Sequence, residues 1–359
     1  VRRVHEVLSE LGVRQVAAAR ARLADLPAGQ RREQLRQWWA QRLGDVTPPA
    51  VPEVAETDRF DGAGFSAERI HLLPQPILPV PVLLLKGKGG TAPQSDRLPV
   101  VIACSQEGHD AFLAHRALEV AELLTRGVAV CLVDVRGTGE TRPADPDRAW
   151  YGTSVDVAAR ELEFGETRLG GCLRDLRSVV RHLQARPDVD PRRLAVWGDS
   201  TAAVNSAQLV DPPVKSENAA LPAEPMGAHA ALLLALFEDD VCAVLARGGL
   251  TGFAALLDGP ACHVTLDAIV PQALETGDLA SVAASLAPRP VRLEALVDGR
   301  NVPATPDRIA RDLEPARRAY QANPDRLVAT AGASADVAAW LDAGLRAVVA
   351  APAAAATHP

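Results

Sequence analysis

No apolar run in this 359-residue chain approaches the roughly 20 residues a helix needs to cross a bilayer, so no membrane partner is expected. A concentrated basic face is also missing. The formal net charge is −7, which argues against nucleic acid, because phosphate binding wants clustered lysine and arginine. The five cysteines, Cys104, Cys131, Cys172, Cys242 and Cys262, form no close CxxC pair. Their odd number speaks against a full disulfide framework, and buried thiols in a reducing compartment are the plain expectation. No His/Cys/Asp cluster has metal-ligand spacing, so neither a metal nor another cofactor is expected. No internal repeat is present. The chain opens at Val1 with no charged-then-apolar leader, which favours a cytoplasmic, trimmed or C-terminal piece.

What is present is ordinary for a globular enzyme: 48% hydrophobic and 23% charged residues. Residues 1–52 read as a helical extension and linker. Val4, Val7, Leu8 and Leu11 share one helical face, and Leu35, Trp38, Trp39 and Leu43 mark a second amphipathic stretch. The tryptophan pair is expected to dock on the main domain. Thr47-Pro48-Pro49-Ala50-Val51-Pro52 then reads as an extended linker.

From 53 to 348 the pattern alternates. Residues 69–74 and 78–86 predict an antiparallel pair, and 99–104, 127–134, 193–198, 241–247, 291–297 and 326–331 predict further strands. Helices are expected at 112–126, 165–186, 201–210, 227–238, 306–322 and 336–347. This spacing predicts an α/β fold, a mostly parallel sheet of eight strands with helices on both faces. Residues 251–289 form an insertion that could cap the sheet, and 349–359 a frayed tail.

Leu194-Ala195-Val196-Trp197-Gly198-Asp199-Ser200-Thr201-Ala202 stands out. An apolar strand stops at a glycine and sets Ser200 among small residues before a helical stretch. Such a strained strand-to-helix turn lifts a hydroxyl above the carboxyl edge of a sheet, where ligands of open α/β sheets bind. The bland alternative is a serine that caps a helix.

Around a nucleophile at Ser200 the chemistry needs two oxyanion donors, a base and an orienting acid. The N–H of Thr201 is one donor, and Ser105 or Gln106, in Cys104-Ser105-Gln106-Glu107-Gly108-His109, is the other. Asp298 closes the strand 291–297 and suits the acid, although Asp298-Gly299 also reads as a plain turn. Chain order Ser, acid, His would put the base after Asp298, where His358 in the tail is the only histidine. His263, within the 251–289 insertion, is the candidate base. His109 comes next, and a site with no base is the remaining option. His5, His71 and His182 read as structural. Lys86-Gly87-Lys88-Gly89-Gly90-Thr91 reads as a turn rather than a phosphate loop. Asp134-Val135-Arg136-Gly137-Thr138-Gly139-Glu140-Thr141 is a tight loop near the rim of the site, and its Arg136, together with His109 from the oxyanion side, is expected at the substrate rim.

Three runs carry a resemblance: the Asp134–Thr141 loop, the Arg192–Ser200 stretch, and Ala287-Pro288-Arg289-Pro290 leading towards Asp298. Over residues 60–348 the chain resembles α/β-hydrolases, nearest the acetyl xylan esterase and dienelactone-hydrolase-like branch. The resemblance implies hydrolysis of carboxylic esters, with Ser200 as nucleophile, Asp298 as orienting acid and Thr201 as oxyanion donor. The expected partner is a small-molecule or carbohydrate ester, with a companion domain or second copy beside it. The departure is the absent histidine after the last strand. The alternative function is a degenerate hydrolase fold that binds or scaffolds.

Overall fold

The computed structural model describes residues 2–88, 97–142, 153–208 and 220–347. Its strands are β1 (Glu53–Gly62), β2 (Phe65–Gln75), β3 (Leu78–Gly87), β4 (Leu98–Ser105), β5 (Ala129–Val133), β6 (Val189–Asp199), β7 (Val241–Arg247), β8 (Val291–Glu294) and β9 (Leu327–Ala329). They form one sheet in the order β1-β2-β3-β5-β4-β6-β7-β8-β9. The pairs from β5 to β9 are parallel, and β1, β2 and β3 add antiparallel neighbours.

The sheet therefore has nine strands rather than eight. The extra one is β1, in which nine of ten residues are exposed. An edge strand with one neighbour needs no apolar face, and its charged side chains discourage pairing with other chains. Its sequence, Glu-Val-Ala-Glu-Thr-Asp-Arg-Phe-Asp-Gly, gives almost no apolar alternation to read. By contrast every residue of β5 and β7 is buried, as expected of central parallel strands covered on both faces.

The helices are α1 (Val4–Ala24), α2 (Ala28–Leu43), α3 (His109–Thr125), α4 (Thr153–Glu163), α5 (Arg168–Ala185), α6 (Met226–Phe237), α7 (Asp278–Ser285), α8 (Pro306–Asp312), α9 (Glu314–Ala319) and α10 (Val337–Ala347). Alternation along β4 sorts them into two layers. Val100, Ile102 and Cys104 face a core completed by residues of α2, α5, α6, α7 and α9. Val101 and Ala103 face a second core with Phe112 of α3 and Leu341 and Leu345 of α10. In α6 eleven of twelve residues are buried, which explains why it is apolar on every side. Trp39 docks as expected, fully buried, its ring 6.0 Å from that of Phe253.

Several expectations change. The stretch predicted as a helix at 201–210 is irregular through 206, and 209–219 lie outside the described residues. On α1 the buried face is Gly12, Val16, Ala19 and Leu23, while Val4, Val7, Leu8 and Leu11 are exposed. The helix expected at 306–322 is broken into α8 and α9, with Pro315 at the start of the second. The strand expected at 291–297 ends at Glu294. α4 was not foreseen. Cys262 is exposed, whereas the other four cysteines are buried thiols. Part of the Lys86–Thr91 turn and the tail 349–359 fall outside the described residues.

Candidate active site

Ser200 follows the last residue of β6, at the carboxyl edge of the sheet, and is half-buried. Gly198, two residues before it, packs on the start of α6, and a Cβ there would lie 1.9 Å from the Gly227 carbonyl oxygen. Only hydrogen at Gly198 allows strand and helix to meet so closely. The chain does not, however, pass straight from Ser200 into that helix, because α6 begins at Met226. Ser200 is also absent from the non-glycine residues with left-handed φ: Ile77, Gln272, Asp278, Ala295 and Asn301. The left-handed backbone of a strained turn, expected here, is thus not found at Ser200. Ser200 Oγ accepts a 3.3 Å hydrogen bond from the Ala202 N–H. Behind it lies Gly248, where a Cβ would stand 2.4 Å from Ser200 Cβ.

The segments bearing Ser200, Asp298 and His263 are tied together by backbone hydrogen bonds. The Asn205 N–H donates to the Asn301 carbonyl at 2.8 Å, and the His263 N–H donates to the Gly299 carbonyl at 2.8 Å. The His263 carbonyl accepts from the Ala223 N–H at 2.7 Å. Two buried asparagines complete the weave. Asn205 Nδ2 donates to the carbonyls of Leu221 and Arg300, and Asn301 Nδ2 donates to that of Ala203. Asp298 makes the turn that its Asp-Gly pair suggested. Its Oδ1 accepts from the N–H groups of Arg300 and Val302, at 2.8 and 3.0 Å. Among the described residues no imidazole hydrogen-bonds to Ser200 Oγ.

On the other side of Ser200 stands the loop after β4, since Ser105 pairs with Asp199 in register. The Ser105 hydroxyl is buried and donates to the Gly108 carbonyl at 3.0 Å. Gln106 Nε2 donates to Thr265 Oγ1 at 2.9 Å, linking this loop to the segment after His263. Glu107 binds Arg142 at 2.9 Å. Glu107 also shares a hydrogen bond with Glu224, whose carboxyl is pushed up to about 7 by burial and by the Glu107 charge. Neither His109 nor Arg136 is free at the rim. His109 Nδ1 lies 2.7 Å from Asp134 Oδ2, which holds the imidazole above its ordinary pKa. Arg136 is gripped by Asp175 through Nε at 3.0 Å and Nη2 at 2.6 Å.

The loop after β9 contains no histidine, and a ladder of charges runs past it. Asp199 takes both Nε and Nη2 of Arg116, at 2.7 and 3.1 Å. Arg247, 3.9 Å from Asp199 Oδ2, donates to Glu294 Oε2 at 2.9 Å and to the Ser334 carbonyl at 3.1 Å. Arg292 lies 3.5 Å from Glu294 and 2.7 Å from Asp336. Arg247 and Glu294 are register partners at the ends of neighbouring strands. The sequence signal is an ionisable residue closing each of two neighbouring strands, Arg247 and Glu294. Glu224 leaves no such signal, since its raised pKa depends first on burial and then on Glu107, distant in the chain. His229 is fully buried in α6, where burial pulls its pKa down to about 3.

No protein-family model matches the chain, and no curated protein matches it. Solved structures do. A Bacteroides fragilis protein described as a candidate acetyl xylan esterase superposes with a TM-score of 0.58 at 16% identity, over 85% of this chain and 76% of that one. A CE15 glucuronoyl esterase from Teredinibacter turnerae gives a TM-score of 0.53 at 15% identity, over 90% and 84%. A carbohydrate esterase family 15 glucuronoyl esterase from Caldicellulosiruptor kristjansonii gives 0.52 at 14%, over 89% and 86%. Together with the strand order and the position of Ser200, these likenesses show that the chain has the α/β-hydrolase fold.

Proposed function

We propose that this chain hydrolyses a carboxylic ester of a carbohydrate or another small molecule, with Ser200 as nucleophile. The observation that carries the reading is the hydrogen-bonded weave joining the segments of Ser200, His263 and Asp298 at one edge of the sheet. The ester chemistry named for the structural neighbours agrees with it. In this mechanism Ser200 Oγ attacks the ester carbonyl and His263 takes the hydroxyl proton. Asp298 orients the imidazole through Oδ2, which makes no hydrogen bond among the described residues. The N–H of Thr201, with that of Gln106 or Ser105, receives the oxyanion. The imidazolium returns the proton to the leaving alkoxide, and water then cleaves the acyl-enzyme. The Ala202 N–H donates to Oγ and so leaves the hydroxyl proton free to move.

A fluorophosphonate probe tests this on the intact chain. Labelling that disappears in Ser200→Ala is the expected result, together with loss of aryl-acetate turnover in His263→Ala. Folded protein that takes no label would refute the reading. One observation favours a second reading, a hydrolase-fold binding module beside a companion domain or in a homo-oligomer. The charge ladder occupies the region where a base would otherwise approach from β9. That reading expects no labelling and calorimetric binding of a carbohydrate ligand that is left unchanged chemically.

A further inference from the structure

A second constellation lies on the same edge of the sheet, away from Ser200, where β2, the start of α3 and the loop after β5 converge. His109, Asp134 and Glu140 each offer a donor atom, and these atoms lie within 4.8 Å of one another. Two imidazoles face Glu140, one near each carboxylate oxygen. His109 Nε2 is 3.8 Å from Glu140 Oε1, and His71 Nε2 is 3.8 Å from Glu140 Oε2. Behind each ring stands a carboxylate facing Nδ1: Asp134 at 2.7 Å from His109, and Glu56 at 3.3 Å from His71.

We propose that His109, His71 and Glu140 form a binding site for a divalent transition-metal ion of the zinc class, with Asp134 and Glu56 orienting the two imidazoles. Ligand atoms about 2.1 Å from a tetrahedral ion stand about 3.4 Å from one another. Each nitrogen-to-carboxylate separation exceeds that edge by about 0.4 Å, and the His71 ring, which stands outside the group of donor atoms lying within 4.8 Å of one another, must swing inwards to complete the set. Metal-bound histidines characteristically turn their other nitrogen to a carboxylate, which fixes tautomer and ring orientation. Both rings here are backed in that manner. His71 Nε2 is, moreover, a buried nitrogen with no hydrogen-bond partner. Two imidazoles and a carboxylate suit zinc better than magnesium or calcium, which prefer all-oxygen sets.

Asp134 belongs behind the site rather than in it. It is fully buried and already accepts the His109 N–H at 2.6 Å and the Glu140 N–H at 2.8 Å. These bonds fix the positions of two proposed ligands before any ion arrives. Gly108 permits the approach: its φ is +90°, and a Cβ there would come 2.3 Å from Gly139 Cα. The competitor is Arg69, whose Nη2 lies 2.5 Å from Glu140 Oε2. A guanidinium at this carboxylate shows that the place favours a positive charge, and an entering ion must displace it. Asp110 Oδ1, 3.3 Å from His109 Nε2, adds a further oxygen at the open side.

The experiment uses the full chain, stripped with chelator and then titrated with Zn2+ or with Co2+ as a spectroscopic stand-in. The expected result is close to one equivalent of zinc by elemental analysis and a visible Co2+ band of tetrahedral intensity. Glu140→Gln, checked for folding by circular dichroism, weakens binding at least about tenfold, and His71→Gln does likewise. Arg69→Met binds at least as tightly as the parent, since it removes the competing cation. Failure of the parent protein to take up zinc or give the Co2+ band overturns the proposal. So does unchanged binding in both Glu140→Gln and His71→Gln. None of these readouts depends on Ser200 or on ester turnover.

Discussion

Gly198 and Gly227 touch backbone to backbone, the end of β6 resting on the first turn of α6 with room for hydrogen alone. A methyl group on Gly198 would meet the Gly227 carbonyl oxygen and also the Ala228 nitrogen, 2.9 Å away. Neither belongs to a flexible side chain. Gly198→Ala is therefore expected to cost about 3 kcal/mol or more, at the upper end for overpacked sites. Urea denaturation measures it, and a loss below about 1 kcal/mol would mean that the two elements can slide apart.

The ladder beneath the candidate site makes a sharper prediction. Arg247 and Glu294 are both buried, and removing Arg247 leaves Glu294 with only the more distant Arg292, 3.5 Å away, to offset its charge. Arg247→Met is expected to destabilise by about 3–5 kcal/mol. Adding Glu294→Gln should recover part of that loss, because the stranded charge is then gone. A double variant that is no more stable than Arg247→Met would show that the packing of Arg247 over Trp197, and not the ion pair, is what matters.

Two titratable groups, partly buried Glu224 and fully buried His229, give stability opposite slopes with pH. Glu224 is raised from its ordinary 4.5 to about 7, by burial first and the Glu107 charge second. The folded state thus holds a proton that the unfolded state releases, and this contribution is lost as pH rises from about 4.5 through 7. His229 is lowered from 6.5 to about 3 by burial. It stays neutral when folded while the unfolded chain takes up a proton, so its contribution is lost as pH falls below about 6.5. Between about 4.5 and 6.5 the two slopes oppose each other. Thermal melts should show Glu224→Gln losing less stability than the parent on going from pH 5 to pH 8. His229→Gln should lose less on going from pH 7 to pH 4. Parallel profiles for variant and parent would rule out the assignment concerned.

The N-terminal helices supply a contrast between apolar residues of the same helical layer. Trp39 is fully buried against Phe253, and truncation to alanine should cost about 3–5 kcal/mol. Leu8, on the exposed side of α1, should tolerate alanine within about 0.5 kcal/mol. Chemical denaturation of both variants tests it, and a large cost at Leu8 would point to a face that is covered in solution.

Sequence by itself determined the layered α/β order, because central parallel strands and the helices that cover them carry continuous apolar runs or stripes. β7 matches the predicted 241–247, and Leu169, Cys172, Leu173, Leu176, Val180 and Leu183 all lie on the buried stripe of α5. It also placed Ser200 at the strand end, since Gly198 marks the close approach of a helix. Only the tertiary structure decided which helix that is. It is α6, beginning at Met226, whose first turn makes the contact at Gly198 and Asp199. The edge strand β1 was invisible because its stability comes from hydrogen bonds to β2, not from burial. The groups facing one another across strand ends, Arg247 with Glu294, Glu107 with Glu224 and His109 with Asp134, were settled by register and packing. Charges and proton affinities depend on neighbours in space, and a one-dimensional pattern does not carry those neighbours.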